Sequence, residues 1–133
     1  MATIVREFRL DARIDDVWSA ARDVGALHSR LVPGFVIDTQ LRDDVRRVTF
    51  ANGFVADERI VDIDDAHRRI AWSVLPSARI EHHNASLQLF DDTDCTRAVW
   101  IADVLPHDAA PTMAAMIDHG VAAMQRAFAT TRA

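Results

Sequence analysis

His83 is the residue of this sequence best suited to move a proton at neutral pH, because the ordinary pKa of imidazole lies near neutrality and modest changes of surroundings tune it. Glu81 stands two positions earlier. In an extended chain the two side chains share a face about 6 to 7 Å apart, so the carboxylate can orient the imidazole only through water or a long rotamer. Arg59 offers a guanidinium that would steady an oxyanion developing on a carbonyl. His83, Arg59 and Glu81 are therefore the candidate catalytic set, and its chemistry would be proton transfer next to a carbonyl.

Composition removes most other chemistry. All 15 basic residues are arginine, which excludes a lysine Schiff base, and there is no tyrosine to serve as a phenolic acid. The one cysteine, Cys95, excludes an internal disulfide and a cysteine metal cluster. Adjacent His82 and His83 point to opposite faces of a strand and cannot share an ion, so no metal site is expected. His28, His67, His107 and His119 fall in turns or on polar helix faces, where solvation is the simplest state. No glycine-rich phosphate loop or nucleophile elbow occurs, and no cofactor is expected. A net charge of −5 and a pI near 5.6 argue against a nucleic-acid surface. No apolar run approaches the roughly 18 residues of a membrane span. The chain runs from Met1 into alternating pattern without a secretory apolar core, which makes the cytoplasm the expected location.

Period-two alternation and polar turns predict seven strands: Thr3 to Leu10, Phe35 to Leu41, Val45 to Phe50, Phe54 to Ile63, Arg68 to Leu75, Arg79 to Phe90 and Thr96 to Leu105. Asp15 to Arg22 reads as a short helix with acids at its positive end, and Ala26 to Leu31 as a second, stopped by Pro33-Gly34. Asp108 to about Thr131 is the one long amphipathic helix, with Asp108 as N-cap and Pro111 in the first turn. Met113, Met116, Ile117, Gly120, Met124 and Phe128 form its apolar stripe. Gly120 is the oddity there, since glycine inside a helix is about 1 kcal/mol less favourable than alanine. Either a sheet side chain packs against its bare backbone, or a ligand fills the notch. Methionine thioethers suit both an ordinary core and an adaptable pocket.

Turn lengths predict the faces of the strands. With Asn52-Gly53 as a two-residue hairpin loop, Phe50 falls opposite Val55 and Val48 opposite Asp57. With four residues from Asp65 to Arg68, Ile63 faces Ile70, Val61 faces Trp72 and Arg59 faces Val74. The inner face then holds Val48, Phe50, Val55, Val61, Ile63, Ile70, Trp72 and Val74, and Asp57 and Arg59 with them. In the last hairpin Leu87 pairs with Ala98, Ala85 with Trp100, His83 with Ala102 and Glu81 with Val104. Leu87, Leu89 and Trp100 turn inward, with Arg79, Glu81 and His83 as a polar row, while His82 meets Asp103 outside. One bulge would reverse such faces, and the long fourth strand is where one is expected.

The order β, α, α, six strands and a long helix, with Ile14 to Trp18, Asp23, Leu27 and Pro33-Gly34, then Glu58 to Asp64, His82 to Ser86 and Val99 to Pro106, resembles the START/Bet v 1-like superfamily. Within it the chain is similar to the bacterial polyketide cyclase/dehydrase-like branch of small single-domain proteins. The resemblance covers essentially all 133 residues and implies one domain, an α+β helix-grip fold with an antiparallel sheet of about seven strands wrapped around the C-terminal helix. It implies a small hydrophobic or aromatic ligand, polyketide- or lipid-like, between sheet and helix. Asp57, Trp72, Trp100, Met113, Met116, Gly120 and Met124 are the candidate ligand-binding residues. A cyclase or dehydratase using His83 is the alternative. A second is a protein-interaction module or homodimer docking through Val99, Ile101 and Ile60 on the outer face.

Overall fold

In the computed structural model, which describes residues 2–78 and 80–129, seven strands form one antiparallel sheet. They are β1 (Ala2–Leu10), β2 (Val36–Arg42), β3 (Val45–Phe50), β4 (Val55–Asp64), β5 (Arg69–Val74), β6 (His82–Asp91) and β7 (Thr96–Leu105), in the spatial order β1-β7-β6-β5-β4-β3-β2. Of these seven strands β1 alone lies out of sequence order, and the helical segments that follow it carry the chain across to β2 at the far edge. Those segments are α1 (Ile14–Arg22), one tight turn at Val24–Ala26 and a wider one at Leu27–Leu31. The long helix α2 (Ala110–Ala127) packs against β1 and the Leu27–Leu31 turn. This is the helix-grip arrangement.

The apolar stripe of α2 faces the sheet. Met113, Ile117, Ala123 and Met124 are all less than a tenth exposed, and each of the larger three gains about 2 kcal/mol by leaving water. Asp108 is not the N-cap. It belongs to a tight turn at His107–Ala109, Ala109 occupies the cap without a side-chain hydrogen bond, and Pro111 lies in the first turn. The predicted extension to Thr131 falls outside the described residues beyond Ala129. Arg6 on β1 reaches Asp118 on α2 at 2.6 Å. At that exposure the pair orients the helix more than it stabilises it, because solvent screens the attraction. At the other end, Trp18 Nε1–H and Arg22 Nε of α1 both donate to Asp65 Oδ1 at 2.9 Å, fastening α1 to the β4–β5 turn.

The β3–β4 hairpin departs from the predicted register. Its loop is Ala51-Asn52-Gly53, three residues long. The Phe50 N–H donates to the Phe54 carbonyl at 2.8 Å, and Gly53 takes a φ of +90° that an L side chain rarely adopts. The side-chain oxygen of Asn52 accepts the Phe54 N–H, so it serves the turn itself. Thr49 therefore pairs with Val55, Val48 with Ala56 and Arg46 with Glu58. A one-residue slip inverts every face downstream. Ala56, Glu58 and Ile60 turn inward, while Val55 and Val61 are about half exposed. A bulge between Ile60 and Asp62 restores the parity, so that Ile63 meets Ile70 as predicted and Ile60 takes the place opposite Trp72 expected of Val61.

The β6–β7 hairpin is shifted by two residues, because Asp91 pairs with Thr96 around a four-residue loop. Leu87 meets Trp100, Ala85 meets Ala102 and His83 meets Val104. An even slip keeps the faces, and Leu87, Leu89 and Trp100 point inward as expected. His82 lies opposite Leu105, and Asp103 lies opposite Asn84 and accepts the Thr3 hydroxyl at 2.7 Å. On the outer face Ile101 pairs with Val5, both partly exposed, but Ile60 belongs to the interior, so the expected outer patch loses a member. His28 is not simply solvated: it is half-buried, and its Nδ1 lies 3.0 Å from the Thr39 hydroxyl.

Candidate functional site

Between the concave face of the sheet and α2 lies a cavity of about 80 Å³. Trp72 from β5 and Trp100 from β7 stand edge to face, with ring centroids 6.0 Å apart. Met113, Met116 and Met124 from α2 complete the wall, with Phe35, Phe50 and Phe54 toward one end. The Phe35 and Phe50 rings lie 5.1 Å apart and those of Phe50 and Phe54 5.9 Å. Such walls offer polarisable, apolar surface to a flat guest.

Two charges sit in this wall. Arg46 Nε is 2.8 Å from Glu58 Oε1, with the side chains 4% and 8% exposed. The two residues are directly opposed across β3 and β4, so the register itself joins them. The guanidinium also stands 5.6 Å from the centre of the Trp72 ring, and one terminal nitrogen reaches the Val24 carbonyl at 3.4 Å. Desolvating both ions is costly, and their close contact offsets that cost, so a guest meets a strong local dipole without net charge.

His83 is half-buried on the cavity wall, and its Nδ1 has no hydrogen-bond partner among the described residues. Burial first, and the neighbouring His82 second, depress its pKa from 6.5 to about 4. At neutral pH it is an uncharged imidazole, able to accept a proton or hydrogen bond but not to act as an imidazolium acid. The indole N–H of Trp100 is likewise buried without a partner among the described residues.

The predicted site is brought together only in part. Trp72, Trp100, Met113, Met116, Met124 and His83 share the cavity. Asp57, Arg59 and Glu81 do not. Asp57 is on the opposite face, bound to Arg47 Nε at 2.9 Å, which holds its carboxyl below the usual range. Arg59 is exposed 3.7 Å from Asp44, and Glu81 is exposed just before β6. The one-residue difference in the β3–β4 loop accounts for Asp57 and Arg59. Glu81 precedes the strand, so period-two reasoning did not apply to it. Arg79 lies outside the described residues.

Gly120 is accounted for by packing. A Cβ there would come 2.9 Å from Cη2 of Trp100 and 3.1 Å from Cε2 of Phe35, so the indole occupies the notch. Sequence reasoning missed Arg46 and Glu58. Arg46 was legible, since it stands two residues before the inward Val48, whereas Glu58 required the correct loop length. Among the described residues no three His, Cys, Asp or Glu side chains are grouped to hold a metal ion, and no helix is long and apolar enough to cross a membrane.

A seven-stranded antiparallel sheet gripping a C-terminal helix, with a walled cavity between them, defines a START/Bet v 1-like helix-grip domain. The chain belongs to the family described as "Polyketide cyclase / dehydrase and lipid transport", whose model matches residues 1–131. No curated protein matches it. Among solved structures it is similar to a protein of Bacillus thuringiensis, with a TM-score of 0.86, 17% identity and coverage of 97% of this chain and 100% of that one. The Zhui aromatase/cyclase of Streptomyces sp. R1128 superposes with a TM-score of 0.77 at 20% identity, covering 96% and 90%. Norcoclaurine synthase of Thalictrum flavum, in complex with dopamine and hydroxybenzaldehyde, gives 0.68 at 15% identity, covering 98% and 89%. At such identities these likenesses concern the fold. Membership of the family supports a ligand-binding or cyclase role.

Proposed function

We propose that the protein binds a small hydrophobic or aromatic molecule between the sheet and α2. The observation that carries this reading is the cavity wall itself: two tryptophans, three methionines and a cluster of phenylalanines around one buried ion pair. Burying the ion pair is costly, and a core built for packing alone has no need of it. The family description and the aromatic molecules in the norcoclaurine synthase complex point the same way. The test is native mass spectrometry of freshly purified protein, followed by denaturing release and identification of any small molecule. An added mass lost on denaturation supports the reading. If a panel of bicyclic aromatics and medium-chain lipids leaves both the mass and the tryptophan fluorescence unchanged, the reading fails.

A cyclase or dehydratase reaction is the second reading, favoured by neutral His83 on the cavity wall, whose Nδ1 has no hydrogen-bond partner among the described residues. His83 would take a proton α to a carbonyl, and Arg46, rather than Arg59, is the cation near enough to a guest to polarise it. His83→Ala separates the readings: in an enzyme it abolishes turnover and leaves ligand affinity nearly intact, whereas in a pure binder there is no turnover to lose.

A further inference from the structure

Asn52 and Gly53 stand together at the tip of the β3–β4 loop. A backbone nitrogen can attack the side-chain amide of the asparagine before it and close a five-membered ring, and it is least obstructed when its own residue has no side chain. The chain has two asparagines. Asn84 lies within β6, half-buried between Ser73 and Asp103 of the neighbouring strands, and is followed by buried Ala85. Asn52 is exposed, and a Cβ built on Gly53 would meet no atom within 4 Å, so the space beside that residue is open to water.

Two hydrogen bonds govern the reaction. The side-chain oxygen of Asn52 accepts the Phe54 N–H at 3.0 Å. Negative charge gathers on that oxygen as the ring closes, so this N–H already serves the atom that needs an oxyanion donor. The nucleophile, by contrast, is restrained. The Gly53 N–H donates to the Phe50 carbonyl at 2.9 Å, and that bond has to break first. One turn hydrogen bond in an exposed loop is a weak lock, a factor of roughly three to ten in population.

We propose that Asn52 is a site of spontaneous modification, converting through a succinimide to aspartate and isoaspartate, and that the isoaspartyl form loosens the register of β3 and β4. The Gly53 nitrogen gives its proton to solvent base, and its electron pair forms a bond to Cγ of Asn52. The Cγ–Nδ2 bond breaks, and the amide nitrogen leaves as ammonia with a proton from water. One water then opens the ring, and nothing is oxidised or reduced. Cleavage at Cγ leaves ordinary aspartate. Cleavage at the main-chain carbonyl routes the chain through the side chain and adds one methylene, about 1.5 Å of backbone. That atom falls in the loop whose length sets the faces of β4. The loop is closed by the Phe50 N–H on the Phe54 carbonyl at 2.8 Å, and Arg46 meets Glu58 further along the same pair of strands. The buried ion pair of the cavity therefore depends on a register that this one rearrangement disturbs.

The test incubates the full chain, and a synthetic peptide of residues 48–59, in mildly alkaline buffer made with heavy-oxygen water, which marks each ring opening with one heavy oxygen atom. Trypsin cuts after Arg47 and Arg59 and releases the same segment from the protein. Mass spectrometry with electron-transfer fragmentation places the label and distinguishes the two products. Label is expected at residue 52 and not at residue 84, forming no more than about tenfold slower in the folded chain than in the peptide. The isoaspartyl chain, isolated by chromatography, should melt several degrees below Asn52→Asp, which carries the same charge and keeps a side-chain acceptor for Phe54 without the added methylene. If the peptide converts fully while the folded chain takes up no label at residue 52, Asn52 is not a modification site of this protein and the proposal falls. If the isoaspartyl chain melts together with Asn52→Asp, the loop absorbs the added atom and the effect on register is refuted.

Discussion

Replacing Gly120 with alanine sets two effects of known sign against each other. Helix propensity favours the change by about 1 kcal/mol, since glycine in a helix interior leaves more backbone freedom to be lost on folding. Packing opposes it. The new methyl would lie 2.9 and 3.0 Å from Cη2 and Cζ3 of Trp100 and 3.1 Å from Cε2 of Phe35, against an ordinary carbon–carbon contact of roughly 3.5 to 4.0 Å. Neither ring recoils freely, because Trp100 abuts Trp72 at 6.0 Å and Phe35 abuts Phe50 at 5.1 Å. Overpacking of this kind costs about 1 to 3 kcal/mol, so the expected net loss is about 1 kcal/mol, or roughly 3 to 4 °C in Tm for a chain of this size. Urea unfolding of Gly120→Ala measures it. Ala115→Gly on the exposed side of α2 serves as the propensity control and should cost about 1 kcal/mol on its own. If Gly120→Ala proves more stable than the wild type by the full propensity gain of about 1 kcal/mol, nothing opposes the methyl, the indole does not occupy the notch and the packing account of Gly120 is wrong.

Three further outcomes follow from the same geometry. His83 is neutral in the fold down to about pH 4 but titrates near 6.5 when unfolded, so its contribution is intact above pH 6.5 and is lost as pH falls toward 4. At 1.36 kcal/mol per tenfold change in proton affinity the full loss is about 3 kcal/mol, and His83→Phe should flatten that part of the stability–pH curve. Glu58→Gln strands the buried Arg46 charge and should cost about 3 to 5 kcal/mol, while the double change Arg46→Met with Glu58→Leu should cost much less, as chemical denaturation of the two variants would reveal. Arg59→Gln and Glu81→Gln alter residues that do not line the cavity, so the affinity of 2-naphthol should stay within about twofold of wild type in a fluorescence titration, and a tenfold loss would return them to the site.

The two departures of β4 from its expected faces are coupled. A two-residue Asn52-Gly53 loop predicts odd-numbered residues of β4 inside, and a four-residue β4–β5 turn predicts the same. The real loop is one residue longer, and the bulge at Ile60 and Asp62 removes that extra residue again. The two single-residue differences cancel at Ile63 and invert every face between, so Asp57 and Arg59 point away from the cavity and Glu58 points into it. The pattern held a warning, since Val61 and Val55 are both apolar and both exposed, so hydrophobicity alone did not distinguish the two faces of β4.

What the sequence by itself determined is the order and type of the elements and the apolar stripe of α2 from Met113 to Met124. Hydrophobic period, turn residues and the helix-starting Pro111 act over a few neighbours along the chain, and local interactions of that kind are written locally. The helix-grip architecture and the family were legible for the same reason, through the order of those elements. Only the tertiary structure decided which polar groups reach the cavity. Register depends on whether a loop holds two residues or three and on where a strand bulges, and both are settled by which alternative buries more apolar surface and pairs more charges once sheet and helix have closed. Arg46 meets Glu58 because the strands slid until it did. Trp100 fills the notch at Gly120 because α2, whose first residue lies ten positions after Trp100, folded back over it.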